Sequence, residues 1–434
     1  MKRGREKTGD EESRSRRNAE GGAPPVPTPP ASSDSRLRPR PSLARATIII
    51  GFVSLLGDVS SEMIYPLIPI FVTQVLTAPA SALGLIEGIS VGTASIISGI
   101  SGWISDRIGR RKPVAFTGYA LTAVARPMLA FAGSWPVVLG ARFAERFGKG
   151  IRGAPRDALL AESAPEEDRG RAFGFERAMD STGAVLGPLL ALLLVGAVGL
   201  GIRSVFLVSC IPATAAALLL LSVPESKGKV KGARSLKFSL AGTTPIYRRV
   251  LLIAGVFGLA NSANAFLILR AEQLGLSTRW TILAYALYNA VAAIMSMPAG
   301  AASDRFGRRN LLIIGYTIYA GVYVGFGAAN RAWLMWPLFA IYGLFPALTD
   351  GVAKALAVDT AGTAGRATVI GIYSSVIGVA QVAASIIGGM LWDKAGAQAA
   401  FYFGAAMSAL SVALLLALLP ARAGIGNPDR AADS

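Results

Sequence analysis

"GWISDRIGRRK", residues Gly102–Lys112, returns 198 positions later as "GAASDRFGRRN", residues Gly300–Asn310. Each copy follows one long apolar run and precedes another. A weaker echo accompanies it, "GRAFG" from Gly170 and "GRATVIG" from Gly365. A ten-residue pattern repeated at one domain length marks an internal duplication, and such repeats place a substrate between the halves near the membrane midplane.

Composition agrees with a membrane location. The 434 residues are 53% hydrophobic and only 16% charged, too apolar for a soluble domain of this size. Apolar runs of about 20 residues recur from Ala46 to Pro420, and about 20 helical residues cross a ~30 Å hydrocarbon core. The reading is an all-α membrane protein with twelve spans near 46–74, 81–104, 113–133, 135–160, 170–197, 203–222, 248–274, 277–301, 311–329, 332–359, 367–391 and 396–419. No strand-like alternation supports a β-barrel. The organisation expected is a disordered tail at 1–43, a six-helix bundle at 44–223, a linker at 224–247, a second bundle at 248–420 and a tail at 421–434. The first apolar run is too long for a signal peptide and continues into further spans.

The net charge of +17 raises the question of nucleic acid. Its location answers it: Arg107, Arg110, Arg111, Lys112, Arg169, Arg171, the lysines of 224–247, Arg305, Arg308 and Arg309 fall in alternate loops, whereas the other loops hold Arg203, Arg270, Arg279, Arg331 and Lys394. This asymmetry sets topology, with both termini cytoplasmic and no role in nucleic-acid binding. Cys210 is the single cysteine and histidine is absent, so a disulfide framework and metal clusters are excluded, no cofactor is expected and proton chemistry falls to carboxylates. The Gly148-x-Gly150-x-x-Gly153 spacing lacks the preceding strand of a dinucleotide site, and no phosphate-binding P-loop occurs. No nucleophile with an adjacent base occurs either, so the chain is not read as an enzyme.

The charges inside the spans are the chemical clue. "ERFGKGIRGAPRD", 145–157, lies on the fourth span. Arg142, Arg146, Lys149 and Gly153 share one helix face, and exposing the four cations Arg142, Arg146, Lys149 and Arg152 to lipid would cost about 10–14 kcal/mol, so they must face protein or water. "GDVSSEMIYP" sets Asp58 and Glu62 one turn apart before Pro66 and Pro69 loosen the first span. Glu87, Glu145, Glu176, Asp180 and Asp350 are further intramembrane acids. Carboxylates caught between desolvation and a neighbouring cation can exchange protons near neutral pH. On this basis Asp58, Glu62, Glu145 and Asp180 are candidates for proton coupling. Arg142, Arg146, Lys149, Asn261, Asn264 and Asp350 are candidates for a substrate cavity, with Tyr285, Tyr288 and Trp280 as aromatic company. Static ion pairing that fixes helix packing is the competing reading for each acid.

The doubled Gly-x-x-x-Asp-Arg-x-Gly-Arg-Arg resembles the loop of the major facilitator superfamily, and the resemblance spans about 46–420. It implies a twelve-helix fold of two pseudo-symmetric bundles and a cytoplasmic latch formed by Gly102, Asp106, Arg107, Gly109 and Arg110 with Gly300, Asp304, Arg305, Gly307 and Arg308. "GAVLGP", with Gly183, Gly187 and Pro188, is similar to that family's antiporter motif, though Ala191 and Leu192 stand where glycines usually continue it. Arg142, Glu145 and Gly148 partly match its helix-four motif. "DVSSEMIYP" looks like the first helix of a broad prokaryotic group of such permeases. The resemblance implies a monomeric, proton-coupled transporter of a small molecule in a prokaryotic plasma membrane, with efflux favoured. An exchanger or importer of anionic metabolites is the second expectation, and a transport-inactive scaffold or sensor the third.

Overall fold

The computed structural model describes residues 43–108, 110–165, 168–224, 242–362 and 366–420, together with the main chain but not every side chain of a few helical residues. The expected tails and most of the 224–247 linker lie outside the described residues. Within them the chain is helical, in twelve rods: α1 (Arg45–Val75), α2 (Ala80–Ile108), α3 (Arg111–Ala130), α4 (Trp135–Ser163), α5 (Arg169–Gly196), α6 (Ile202–Leu220), α7 (Pro245–Gln273), α8 (Thr278–Phe306), α9 (Arg308–Ala328), α10 (Ala332–Asp359), α11 (Arg366–Ala395) and α12 (Ala397–Leu418).

Ten of these rods are long and apolar enough to cross a bilayer on composition alone. The two that are not are α3 and α4. The first opens on Arg111 and Lys112 and carries Arg126, and the second carries the charged stretch 145–157. Both lie among the other rods at matching length. Apolar side chains such as Ile211, Met297 and Val379 remain exposed on the outside of the bundle, where a bilayer would cover them.

Packing repeats between the halves. In the first six rods α1 packs on α5 and α6, α2 on α4, and α3 on α4 and α6. In the last six α7 packs on α11 and α12, α8 on α10, and α9 on α10 and α12. Position for position these are the same partners, so the internal repeat is a structural duplication. The halves meet mainly through α2 against α11 and α5 against α8.

Three rods are interrupted where they line the centre. In α1, Pro66 and Pro69 end the regular helix at Ile64, and the rod resumes as Leu67–Ile70 and a π-helical turn at Phe71–Val75. In α7, the counterpart of α1, the helix stops at Ala260 and restarts at Ala265, leaving Asn261–Ala263 unwound. In α10 it breaks at Gly343, whose backbone packs so closely on α8 that a Cβ would stand 2.7 Å from the Tyr288 carbonyl oxygen. Irregular backbone at this depth is tolerated where it faces protein or a wet cavity.

The spans end later than hydropathy suggests at one face: α2 reaches Ile108 and α8 reaches Phe306. The charged repeat therefore begins inside the helix, and α8 stops only where Gly307 adopts φ 83°, a left-handed conformation that suits glycine.

Candidate functional site

A buried ionic quartet organises the first half. Arg126 on α3, Glu145 and Arg142 on α4 and Glu87 on α2 each have side chains no more than 2% exposed. Arg126 Nη1 stands 3.1 Å from Glu145 Oε1, Arg142 Nη1 donates to Glu145 Oε2 at 2.6 Å, and Arg142 Nη2 donates to Glu87 Oε1 at 2.8 Å. Arg126 also donates to the Ser60 and Ser61 hydroxyls of α1, both at 3.1 Å. Two cations and two anions cancel, which is the arrangement that makes burial of charge tolerable. Close approach of α3 and α4 makes room for it: a Cβ on Gly118 would lie 2.5 Å from the Gly148 carbonyl oxygen, and one on Gly148 would lie 2.6 Å from that of Gly118.

Farther along α4 the charges engage α1 and α5. Lys149 Nζ lies 3.5 Å from Asp58 Oδ1, and Arg152 reaches the same oxygen at 4.0 Å while its guanidinium covers the Tyr119 ring at 4.3 Å. Asp58 also faces Asp180 of α5, which is 3.3 Å from Arg177. Arg156 pairs with Glu176 at 3.1 Å and Asp157 at 2.8 Å, and the Ser54 hydroxyl donates to Glu176 at 2.7 Å. The helical stripe seen in the sequence thus divides. Arg142 and Glu145 are wholly buried behind the cavity, Arg152 turns onto Tyr119, and Arg146 and Lys149 remain toward open space.

Glu62 is placed differently from the other acids. Its carboxylate accepts a hydrogen bond at 3.0 Å from the Tyr285 hydroxyl of α8, across the boundary between halves. Tyr285 stacks on Tyr65 of α1 at 5.4 Å, and Tyr65 lies 5.8 Å from the Arg142 guanidinium. Among the described residues no cation lies within ion-pair distance of Glu62. The helix-five motif supports this placement: a Cβ on Gly187 would meet Glu62 Cβ and Met63 N at 2.8 Å, and one on Gly183 would meet Asp58 Cβ at 3.1 Å. Gly183, Gly187 and Pro188 are buried, so α5 rests directly on the two acids of α1.

Three adjoining cavities lie inside the bundle, two lined by both halves and one by the second half alone. One, about 240 Å³, is lined by Tyr65, Glu87 and Arg146 from the first half and by Asn261, Asn264, Tyr288, Tyr342, Phe345, Asp350 and Gln381 from the second. The others are about 260 and 510 Å³, and Asp350 lines all three. Unwinding of α7 sets Asn261 and Asn264 there. Asn264 donates to the Tyr288 hydroxyl at 3.2 Å and accepts from that of Tyr342 at 2.8 Å, which fixes an aromatic wall.

The largest cavity extends along α5, α8 and α10 to Gly300, Ser303 and Arg308, toward the basic loops. The opposite end is closed. There the Asp393 carboxylate of α11 accepts from the backbone N–H groups of Ala80 and Ser81 at the start of α2, both at 2.9 Å, and Gln74 donates to Glu272 at 3.1 Å. Gly84 and Gly389 allow α2 and α11 to touch, with Cβ positions 2.3 Å from the Ser385 carbonyl oxygen and 2.7 Å from that of Ala80.

At the basic end, the side chains of Asp106, Arg107 and Asp304 and all of Gly109 lie outside the described residues, and Gly102 is described by its place in α2 alone. Arg110 is exposed, and Arg305 lies 5.6 Å from the Phe306 ring. Arg308 forms an ion pair with Asp359 at the end of α10, and Arg111 forms one with Glu162 near the end of α4. A Cβ on Gly300 would meet nothing within 4 Å, so no neighbouring helix among the described residues approaches α8 closely there.

Sequence reasoning missed Arg126 and Asp393. Arg126 was visible as a lone cation in an apolar span, which marks a buried partner. Asp393, near a helix end, resembles any solvated loop charge until α2 is placed beside it.

Comparison with known proteins agrees with this architecture. The family model described as Major Facilitator Superfamily matches residues 50–285 and 250–433. An uncharacterized MFS-type transporter of Methanocaldococcus jannaschii is 32% identical over 380 residues, covering 86% of this chain and 95% of that protein. A multidrug resistance protein of Citrobacter koseri is 24% identical over 347 residues, covering 76% of this chain and 82% of its own. Among solved structures, a nucleoside transporter crystallised as a point mutant shares 12% identity with a TM-score of 0.75, covering 86% of this chain and all of that one, and supports the fold. With twelve rods in two equivalent halves around a central cavity, the chain belongs to the major facilitator superfamily and is a multi-pass membrane transporter, not an enzyme.

Proposed function

We propose that this transporter works by alternating access, couples transport to protons and exports a small organic solute as a monomer. The observation that carries coupling is the Glu62–Tyr285 hydrogen bond. It joins an acid without a cationic partner to the other half of the molecule, so a proton on Glu62 alters a contact between halves. Glu145, by contrast, is held by two guanidinium groups and serves packing in this reading. Asp58, facing both Lys149 and Asp180, is the second carrier.

By the positive-inside rule the basic loops face the cytoplasm of a prokaryotic cell, with both termini on that side and the 224–247 segment joining the halves there. The cavity then opens inward, as an exporter requires for loading. The helix-five glycines and the similarity to a multidrug resistance protein favour export. One proton crossing about 150 mV supplies about 3.5 kcal/mol, enough for a gradient of a few hundredfold in a neutral solute.

The test uses proteoliposomes with a trapped pH dye, an imposed proton gradient and a solute library. Wild type moves protons when its cargo is added, and Glu62→Gln does not. Unchanged proton movement in Glu62→Gln, and in the double variant with Asp58→Asn, refutes the assignment of the carriers. A silent wild type refutes coupling itself. Arg146, without an ion-pair partner among the described residues, favours a second reading, in which the cargo is a phosphate- or carboxylate-bearing metabolite taken by exchange or import.

A further inference from the structure

The charges around the 240 Å³ cavity can be accounted for one by one. Glu87 is bonded to Arg142. Lys149, the basic residue after Arg146 along α4, is engaged by Asp58. Arg177, on the adjoining cavity, is engaged by Asp180. Two charges remain. Arg146, from the first half, has no ion-pair partner among the described residues, and its Nε is buried without a hydrogen-bond acceptor. Asp350, from the second half, likewise has no ion-pair partner among the described residues; Lys354 stands one turn away on the wall of the adjoining 260 Å³ cavity, beyond ion-pair distance. One cation and one carboxylate, each without an ion-pair partner among the described residues, thus line the 240 Å³ cavity from opposite halves.

We propose that the cargo is amphoteric: a small organic solute whose carboxylate or other anionic group is held by Arg146 and whose ammonium group is held by Asp350. The inference rests on the transporter reading and deepens it. Alternating access removes water from the cavity as the halves close over cargo. A singly charged anion would then leave Asp350 desolvated without a partner, and a singly charged cation would leave Arg146 so. A solute bearing both charges compensates both and links the halves through itself, so closure follows loading. Tyr65, Tyr288, Tyr342 and Phe345 receive its apolar body, and Asn261 and Gln381 offer neutral hydrogen bonds beside the charged ends.

The experiment measures thermal stabilisation of the full chain in lipid nanodiscs, without any gradient. The probes are amino acids, betaines and aminosulfonates, each matched by skeleton to its amine-only and acid-only counterpart. Amphoteric members stabilise the wild type and their single-charge counterparts do not. Arg146→Gln and Asp350→Asn each weaken apparent affinity about 10- to 100-fold, the loss expected for one charge-assisted hydrogen bond, while Arg146→Lys and Asp350→Glu retain binding. Three results overturn the proposal: no amphoteric probe shifts the wild type, single-charge counterparts shift it equally, or Asp350→Asn binds unchanged. Binding is read without proton flow, so failure of the coupling assignment leaves this result standing, and binding of singly charged probes sinks only the amphoteric class.

Discussion

Glu145→Gln separates packing charge from coupling charge. Glu145 is 1% exposed and accepts from Arg142 at 2.6 Å while facing Arg126 at 3.1 Å. The neutral amide removes one of two anions from a quartet that is otherwise closed. Arg126 then retains only the Ser60 and Ser61 hydroxyls, and Arg142 retains Glu87. Removing one partner of a buried ion pair costs about 3–5 kcal/mol, and a carboxylate serving two guanidinium groups belongs at the upper end. The melting midpoint of the purified protein in detergent should fall on the order of 5–10 °C. Glu62→Gln provides the contrast. Its amide oxygen can still accept from Tyr285 and no cation is orphaned, so stability should change by about 1 kcal/mol or less. A Glu145→Gln protein that melts with the wild type yet fails to move protons would refute this division and make Glu145 a carrier.

Two further substitutions test the geometry. Gly187→Ala places a methyl group 2.8 Å from Glu62 Cβ and Met63 N and 2.9 Å from the Val59 carbonyl oxygen, so it should cost about 1–3 kcal/mol and impair transport, while Gly174→Ala, with nothing within 4 Å, should do neither. Both are checked by melting and by solute flux. Asp393→Ala removes the acceptor for two backbone N–H groups between α11 and α2, worth about 1–2 kcal/mol, and should favour opening at the end away from the basic loops about tenfold. In a Cys210→Ser background, a cysteine at position 264 should then react faster with an impermeant thiol reagent from that side; an unchanged rate would show that the contact bears no load in the transition.

The sequence by itself determined much about this protein. Apolar run length, the loop asymmetry of lysine and arginine and the doubled Gly-x-x-x-Asp-Arg pattern are properties of short windows or of simple repetition, and they sufficed for a duplicated twelve-span bundle. Even α3 and α4, too polar to count as spans on composition, were legible from the repeat and from the expense of leaving Arg142, Arg146 and Lys149 in lipid. What the tertiary structure alone decided is which charge meets which. Arg142, Arg146 and Lys149 share a helical face, yet one is sealed by Glu145 and Glu87, one faces the cavity, and one is drawn to Asp58. Two of those partners, Glu87 on α2 and Asp58 on α1, sit on other helices, and no periodicity within α4 encodes the distances to them. The pairing of Glu62 with Tyr285 and of Asp393 with the start of α2 crosses between halves far apart in sequence. A carboxylate's chemistry depends on the charges and donors within a few ångströms of it, and for Asp58, Glu62, Glu87 and Asp393 those neighbours come from other helices.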